Sequence, residues 1–576
     1  MRWNGWGKSS VHDPALDNDA VWNWLAHELG MPSLLATPAS ELDAVVLPPT
    51  RLTADALAGL ARIVAPDQLR RDDMARILHA RGRSYPDLLY LRAGDLSSAP
   101  DAVVFPKTTE EVMALLKWAE DHDVAIVPFG GGTSVVGGVS PQQGRHHAVV
   151  SLDLTAMDAV LNIDPVSELA CVQAGITGPA LERALAACGL TLGHFPQSFE
   201  YSTLGGWIAH RGAGQQSNGY GRAEDWLHSA RLVTPRGLIH TEEAPASAAG
   251  PCLKDLILGS EGLFGVITEA TVRIRKLPGE QHVASFLFRS FAEGLSAIRL
   301  AMQSGLKASM LRLSDAEETR FFRAFRKSGQ PPHVFDWLTE KYLAARGLAT
   351  QGCALIALFE GADGRRSRQD FAALARRCGG VDVGRGPARS WLAGRFHSPY
   401  LRDPMLDHGV GVDTLETATS WSNLERLYGA VSAALSEAMG AHVPREGAHG
   451  IVMCHLSHSY HDGASLYFTF IFPRTLENEL AQWRAIKSAA SRAIVTHGGT
   501  ISHHHGIGED HRDYMAAEKG TLGLEVLRAV KTTLDPHAIL NPDKGYINQR
   551  ATLERRARLV ELLYESVAPA DVIEID

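Results

Sequence analysis

Nothing in this chain is both long and apolar enough to span a bilayer, since no run approaches the roughly 18 apolar residues a membrane helix needs. Cysteine is sparse and scattered. The six residues Cys171, Cys188, Cys252, Cys353, Cys378 and Cys454 form no CxxC pair, which excludes an iron–sulfur or zinc–cysteine site and fits a reducing compartment. Blocks of one charge are missing too. The net charge of −9 is spread along the sequence, which argues against nucleic acid as the main partner. The opening MRWNGWGKSS lacks the apolar core of a signal peptide, so a cytoplasmic protein is expected. No internal repeat or low-complexity segment is present. At 576 residues the chain is too long for one core, and two or more domains are expected.

What is present is glycine in three places. The apolar run Val124-Ala-Ile-Val127 reads as a buried strand, and it leads into Pro128, Phe129, Gly130, Gly131, Gly132, Thr133 and Ser134. Such a turn lets backbone N–H groups and two hydroxyls approach phosphate oxygens closely. It is neither GxGxxG opening a helix nor GxxxxGK[ST], so the Rossmann and P-loop readings are poor. A second stretch, 196–226, is dense in glycine and hydroxyls, and a third, GSEGLFGVITEATVRI at 259–274, reads as a tight turn into a strand. Alone, a glycine triplet is most often a surface turn. Three such turns in one region point to one large phosphate-bearing ligand.

Residues 1–92 read as a helical lead-in, with apolar residues at helical spacing over 17–29. The two tryptophans of Arg2-Trp-Asn-Gly-Trp-Gly7 read as a packing anchor. Residues 97–278 alternate strands and helices: a strand at 102–105, a helix capped by Thr108 through His122, strands at 148–154 and 169–174, and a helix at 178–188. Residues 231–240 read as a hairpin turning at Pro235-Arg-Gly237.

The order PFGGGTS, PQSFEYSTLGGW, GSEGLFGVITEATVRI resembles the FAD-binding domain of the vanillyl-alcohol-oxidase superfamily (the PCMH type). Adding RWNGWG, TPRG (234–237), Leu311-Arg-Leu-Ser-Asp315, Leu401-Arg-Asp403, DGASLYFTF (462–470) and SHHHGIG (502–508), the chain is most similar to the alkyldihydroxyacetonephosphate synthase family, from Arg2 to about Pro542. The resemblance implies an α+β fold: a two-part FAD-binding domain (93–278), an α+β cap with an antiparallel sheet (279–485), and helical N- and C-terminal segments (1–92 and 486–576), the last packing back near the flavin. Besides the 128–134 loop, it implies FAD contacts from Gln197, Ser198, Phe199, Glu200, Tyr201, Ser202 and Thr203. It adds His210, Arg211, Gly212 and Ala213, and then Glu261, Gly262, Leu263, Phe264, Gly265, Val266 and Ile267. Thr133 stands where covalent flavoproteins of this type carry a linking histidine, so dissociable FAD is expected.

The resemblance also implies chemistry. Acyl-dihydroxyacetone phosphate loses its acyl chain, the remainder stays attached to flavin N5, and a fatty alcohol displaces it to form an ether lipid precursor without net redox change. Tyr467 would be the general acid/base, with His503, His504, His505 and Arg312 also catalytic and Arg402 binding substrate. A phenol's ordinary pKa is about 10, so cationic neighbours, supplied by the histidines and arginines, are expected to lower it. Read from the residues alone, an arginine is more often a structural salt bridge and a tyrosine in an apolar strand is more often core. The histidine run leaves open a surface turn or a metal site with His455, His458, His461 or His511. Three adjacent histidines cannot all point one way, so at least one faces away from the ligand. The related metal-dependent 2-hydroxy-acid dehydrogenases carry GEHGIG and GDGNxH. Here His504 replaces the glutamate and Tyr467 falls near the upstream histidine, so no metal is expected. The alternative is an FAD-dependent oxidase or dehydrogenase of a small 2-hydroxy acid; a non-catalytic FAD scaffold is a third reading. Residues 550–567 read as an amphipathic helix that covers the entrance, lies on a membrane or pairs protomers. A homodimer with peripheral membrane contact is the expectation.

Overall fold

The structure, a computed structural model, describes residues 1–11, 14–328, 347–348 and 351–546. The expected amphipathic helix at 550–567 lies outside the described residues.

The strands Ala102–Val104, Ala148–Asp153 and Val124–Phe129 lie side by side and parallel, with Leu69–Arg70 antiparallel at one edge. Their near-continuous apolar sequences suit strands buried on both faces, and every residue of Ala148–Asp153 is buried. Helix Thr109–Asp121 covers this sheet with Val112, Leu115 and Leu116. It starts where expected, because the Thr108 hydroxyl accepts from Glu111 N at 3.1 Å and satisfies a free amide of the first turn. A second sheet is antiparallel and five-stranded, in the order Val160–Asp164, Leu169–Gln173, Val266–Arg273, Leu227–Thr234, Gly237–His240. The hairpin turns as expected, with Thr234 paired to Gly237.

The largest sheet has seven antiparallel strands. Their order is Val381–Asp382, Gln281–Phe288, Cys353–Glu360, Met310–Ser314, Ile451–Ser459, Gly463–Pro473, Val410–Ser420. Side chains alternate between faces along each strand. On one face Phe468, Phe470 and Phe472 pack with Leu427, Val431 and Leu435 of helix Leu424–Ala441, and with Trp483, Ile486 and Ala490 of helix Glu479–Thr496. Each of these large side chains contributes about 1.5–3 kcal/mol relative to exposure. The other face is the floor of a cavity. The boundary expected at 485 falls inside helix Glu479–Thr496, which belongs with this sheet's core.

Both ends of the described chain return to the glycine loop at 128–134, the N-terminal end through Arg83, whose N donates to Ser134 O (2.6 Å). Trp6 N donates to Asp403 Oδ2 (2.7 Å), and the buried Arg83 guanidinium donates to the carbonyls of Gly5 and Arg2 (both 2.9 Å). Near the C-terminus, Asn541 N donates to Ile126 O (2.8 Å), on the strand that precedes the glycine loop.

Candidate active site

The first two glycine-rich segments meet backbone to backbone. A Cβ on Gly130 would lie 2.3 Å from Thr203 Oγ1, and one on Gly131 would lie 1.8 Å from the Tyr201 carbonyl oxygen. Only glycine permits that approach. Among the described residues, the amides of Gly131, Gly132 and Thr133 find no protein acceptor. Free amides beside the hydroxyls of Thr133, Ser134 and Ser202 make a cradle that fits the pyrophosphate of a dinucleotide. Gly130 to Ser134, Gln197, Ser198, Ser202, Thr203, His210, Gly212 and Ala213 all line one cavity of about 340 Å³.

The third segment supports the cradle from behind. The Glu261 carboxylate accepts from Ile507 N (2.6 Å) and Gly508 N (2.8 Å), and its carbonyl accepts from Asn541 Nδ2 (2.8 Å). Leu263, Phe264, Val266 and Ile267 are core side chains, and a Cβ on Gly265 would meet Val233 O at 2.6 Å. Gly262 has a positive φ and abuts Pro128. The remaining expected cofactor residues also turn from the cavity wall. Phe129 packs on His79 (4.4 Å between ring centres), Phe199 on Phe396 (5.3 Å), and Tyr201 hydrogen-bonds Tyr400 Oη (2.9 Å). Glu200 accepts from that Tyr400 hydroxyl (3.3 Å), and Arg211 faces Glu224 (3.8 Å).

Opposite the cradle, every second residue of four adjacent strands faces the cavity: Met310 and Arg312; Met453, His455 and Ser457; Tyr467, Thr469 and Ile471; Val412 and Thr414. Register places His455 and Glu416 directly across from Tyr467 on either side. His455 stacks on the Tyr467 ring, 4.9 Å between centres and 21° between planes. Its Nδ1 is 2.9 Å from Glu318 Oε1, which also accepts from Arg312 NH2 at 2.9 Å. Burial pushes the Glu318 carboxyl up, but the Arg312 charge and the hydrogen bond from His455 outweigh it and hold it at about 2. Burial, then Arg312, lowers His455 below the usual imidazole value. The Arg312 charge is therefore matched by Glu318, and His455 is neutral at physiological pH.

His503, His504 and His505 sit in a loop ended by Gly506 (φ 91°) and Gly508 (φ 49°). One buried carboxylate, Glu416, accepts from all three of their amides, at 2.5, 2.9 and 2.7 Å, and from the Ser502 hydroxyl at 2.9 Å. Burial opposes its ionisation, yet the converging backbone N–H donors hold its carboxyl well below the ordinary value. The side chains diverge, as their adjacency requires. His504 and His505 line the cavity, while His503 turns away, its Nε2 2.6 Å from Tyr460 Oη. Burial lowers His504 to about 3 and His505 to about 4, with Glu416 opposing, and lowers His503 well below its usual value.

The expected cationic activation of Tyr467 is thereby corrected. The flanking imidazoles are neutral, the Arg312 charge is taken by Glu318, and the facing residue is an anion. Burial lifts the phenol to about 12 despite a hydrogen bond to Thr414, so Tyr467 rests protonated.

Arg402 opens helix Arg402–Asp407 and lines the cavity. Its NH1 donates to Arg83 O (2.9 Å), but its buried Nε and NH2 have no hydrogen-bond partner. Asp413 Oδ1 is 3.9 Å away, and that carboxylate already accepts from Trp483 Nε1 (2.8 Å) and Lys487 Nζ (3.3 Å). A guanidinium with two unused buried donors is a site for an anion. Phe321, Trp391, Leu401 and Met405 continue the wall as apolar surface.

Several wall residues escaped the sequence reading. Arg395 faces the cavity with its guanidinium over Phe195 (4.6 Å) and Phe396 (4.9 Å). Trp6, expected only to anchor packing, is also a wall residue, edge-on to Tyr201 at 5.9 Å. Glu416 and Glu318 are visible only once strand register and the packing of helix Ala316–Ser328, which follows the Arg312 strand, are known. His458, His503 and His504 have ring nitrogens within 4.8 Å of one another, the one grouping among the described residues with the reach of a metal site. Hydrogen bonds already engage it: His458 Nε2 to Gly214 O (3.0 Å), and His503 Nδ1 to His504 Nδ1 (2.9 Å).

Comparison with known proteins agrees with this geometry. A family model for an FAD binding domain matches residues 100–242, and one for the C-terminal domain of FAD linked oxidases matches 277–545. The alkyldihydroxyacetonephosphate synthase of Dictyostelium discoideum is 34% identical, covering 94% of this chain and 93% of its own. That of Trypanosoma brucei brucei is 33% identical, covering 94% and 92%. A solved alkyldihydroxyacetonephosphate synthase superposes with a TM-score of 0.78 at 31% identity, covering 94% of this chain and 99% of that one.

Proposed function

The chain belongs to the alkyldihydroxyacetonephosphate synthase family of FAD-linked enzymes, and from that premise we propose that it exchanges the acyl chain of acyl-dihydroxyacetone phosphate for a fatty alcohol. The observation that carries this reading is Arg402. Its guanidinium carries two donors without a hydrogen-bond partner, just behind the wall of a cavity otherwise lined largely by apolar side chains. That combination suits a substrate with an anionic head and a hydrocarbon chain. A small 2-hydroxy acid would leave the apolar wall unused, so the oxidoreductase reading is the weaker one.

Bound FAD supplies an electrophilic centre that lets one oxygen substituent on carbon replace another without net redox change. The amides of Gly131, Gly132 and Thr133 would hold its pyrophosphate, and with Thr133 rather than a linking histidine in that loop the cofactor would be dissociable. Arg402 takes the substrate phosphate through its guanidinium, and Arg395 is a further cation on the cavity wall besides Arg312, whose charge Glu318 matches. Met310, Phe321, Trp391, Met405 and Met453 enclose the chain and exclude water. Tyr467 carries the proton of the substrate carbon at its hydroxyl. Because it rests as a neutral phenol, it must surrender its own proton as it takes another. The neutral imidazoles of His504 and His505, with ring centres 6.2 and 5.6 Å from the phenol ring, are the available acceptors. His455, held by Glu318 and Arg312, fixes the phenol ring by stacking. His503 ties the histidine loop to Tyr460.

Incubating the FAD-loaded protein with acyl-dihydroxyacetone phosphate and a long-chain alcohol, with no electron acceptor, tests the reading. One free fatty acid should appear for each ether formed. Consumption of substrate only when an electron acceptor is added would overturn it. A homodimer in peripheral contact with a membrane belongs to the same proposal. Phe322, 41% exposed on the cavity wall, supports the membrane contact. Liposome co-flotation and sedimentation test the two parts.

A further inference from the structure

The triple-histidine loop has little of its own to fix its position. Gly506 and Gly508 both take positive φ, and a Cβ on Gly508 would lie 2.1 Å from Val136 O. Two buried carboxylates clamp it: Glu261 holds the amides of Ile507 and Gly508, and Glu416 those of His503, His504 and His505. Glu416 is 1% exposed and lies on the strand rung directly opposite Tyr467.

We propose that Glu416 is the positioning residue of the reaction, setting where His504 and His505 stand relative to Tyr467. This rests on the functional reading above. The argument is geometric first. Three consecutive amides converge on one carboxylate, so the loop cannot shift along the sheet without leaving a buried donor or acceptor unpaired. Because the same rung carries Tyr467, phenol and imidazoles share a single reference point. Charge is the second part. Glu416 Oε2 lies 3.6 Å from His504 Nδ1 and Oε1 lies 3.7 Å from His505 Nδ1. A carboxylate this close favours a proton on either imidazole and opposes the effect of burial. Glutamine keeps the shape but loses that charge, and turns one amide donor against the backbone N–H groups.

The test compares FAD-loaded wild type with Glu416→Gln by steady-state kinetics and by 15N spectra of histidine-labelled protein, which report imidazole tautomer and environment. The variant should keep its flavin and hold KM within about threefold, lose at least about 100-fold in kcat, the lower range for general acid–base catalysis, and shift the resonances of His503 to His505. A variant with kcat within about threefold of wild type and unchanged histidine resonances overturns the proposal. Should Glu416→Gln not retain flavin, Ser502→Ala leaves the carboxylate in place and removes one of its donors. It should lower kcat about three- to tenfold with shifted histidine resonances, and wild-type behaviour in both overturns the proposal. If the wild type forms no ether, the functional reading fails, while the histidine spectra still report whether Glu416 holds the loop.

Discussion

Tyr467 and Glu416 are paired residues of neighbouring antiparallel strands, so the neutral phenol that lines the cavity and the buried anion that holds the histidine loop share one rung of the sheet. On the other side of the phenol, His455 stacks against its ring. Register thus places three chemically distinct groups in a row, and this row organises the expected behaviour of variants.

Tyr467→Phe removes the hydroxyl proposed to carry the substrate proton while keeping the ring that stacks on His455. It should retain fold and flavin and lose turnover by at least about 100-fold. Steady-state rate measures this, with the flavin spectrum as folding control. Turnover close to wild type would assign the proton to a histidine.

Arg402→Lys replaces a planar fork by a point charge that cannot fill both donor positions. Losing one charge-assisted hydrogen bond costs about 1.5–3 kcal/mol, so substrate affinity should fall roughly 10- to 150-fold with flavin content unchanged. Titration of the holoenzyme with acyl-dihydroxyacetone phosphate measures it, and an unaltered affinity would make Arg402 structural.

Gly131→Ala puts a methyl group 1.8 Å from a backbone oxygen, which no rotamer change relieves. The two halves of the cradle must separate, and the purified protein should carry much less flavin. Gly429, helical with no atom near its would-be Cβ, is the control. Gly429→Ala should keep full flavin and gain up to about 1 kcal/mol in stability. Equal flavin content in the two variants would contradict the cradle.

Acid should destabilise the fold earlier than ordinary carboxylate titration predicts. His504 and His505, lowered to about 4 or less, stay neutral in the native state, as do His458 and His503, while unfolded histidines titrate near 6.5. Below that pH the unfolded chain binds protons that the native protein refuses. The stability is therefore full above about pH 6.5 and falls as pH drops toward the folded values, by at most about 1.4 kcal/mol per pH unit for each histidine. Urea unfolding at about pH 7.5, 6 and 5 measures the slope. Constant or rising stability over that range would contradict neutral burial.

Chelation should leave activity unchanged. The nitrogens of His458 and His503 already bond Gly214 O and Tyr460 Oη, and no carboxylate or thiolate joins them with a free ligand atom among the described residues. Activity lost to EDTA and restored by zinc or manganese would favour the hydroxy-acid dehydrogenase reading.

The sequence was most legible where chemistry is local. An apolar run ending in glycines marked the strand Val124–Phe129 and its cradle, and Thr108 marked the start of its helix. Alternation around Phe468, Phe470 and Phe472 identified the strand that holds Tyr467. Long-range pairing was not legible. Glu416 is one acidic residue in a strand, and nothing nearby in sequence reveals that it meets the amides of residues 503–505. Glu318 likewise neutralises Arg312 only because a helix folds back over its strand. In the third glycine-rich stretch, the same composition that signals ligand approach instead serves turn geometry at Gly262 and close strand packing at Gly265.

The most direct measurement is an anaerobic flavin spectrum recorded as acyl-dihydroxyacetone phosphate is added, followed by a fatty alcohol. The account predicts bleaching with no redox partner present, release of fatty acid, and recovery of the oxidised spectrum when the alcohol arrives. A spectrum indifferent to the lipid, together with bleaching by a small 2-hydroxy acid that only an electron acceptor reverses, would contradict it.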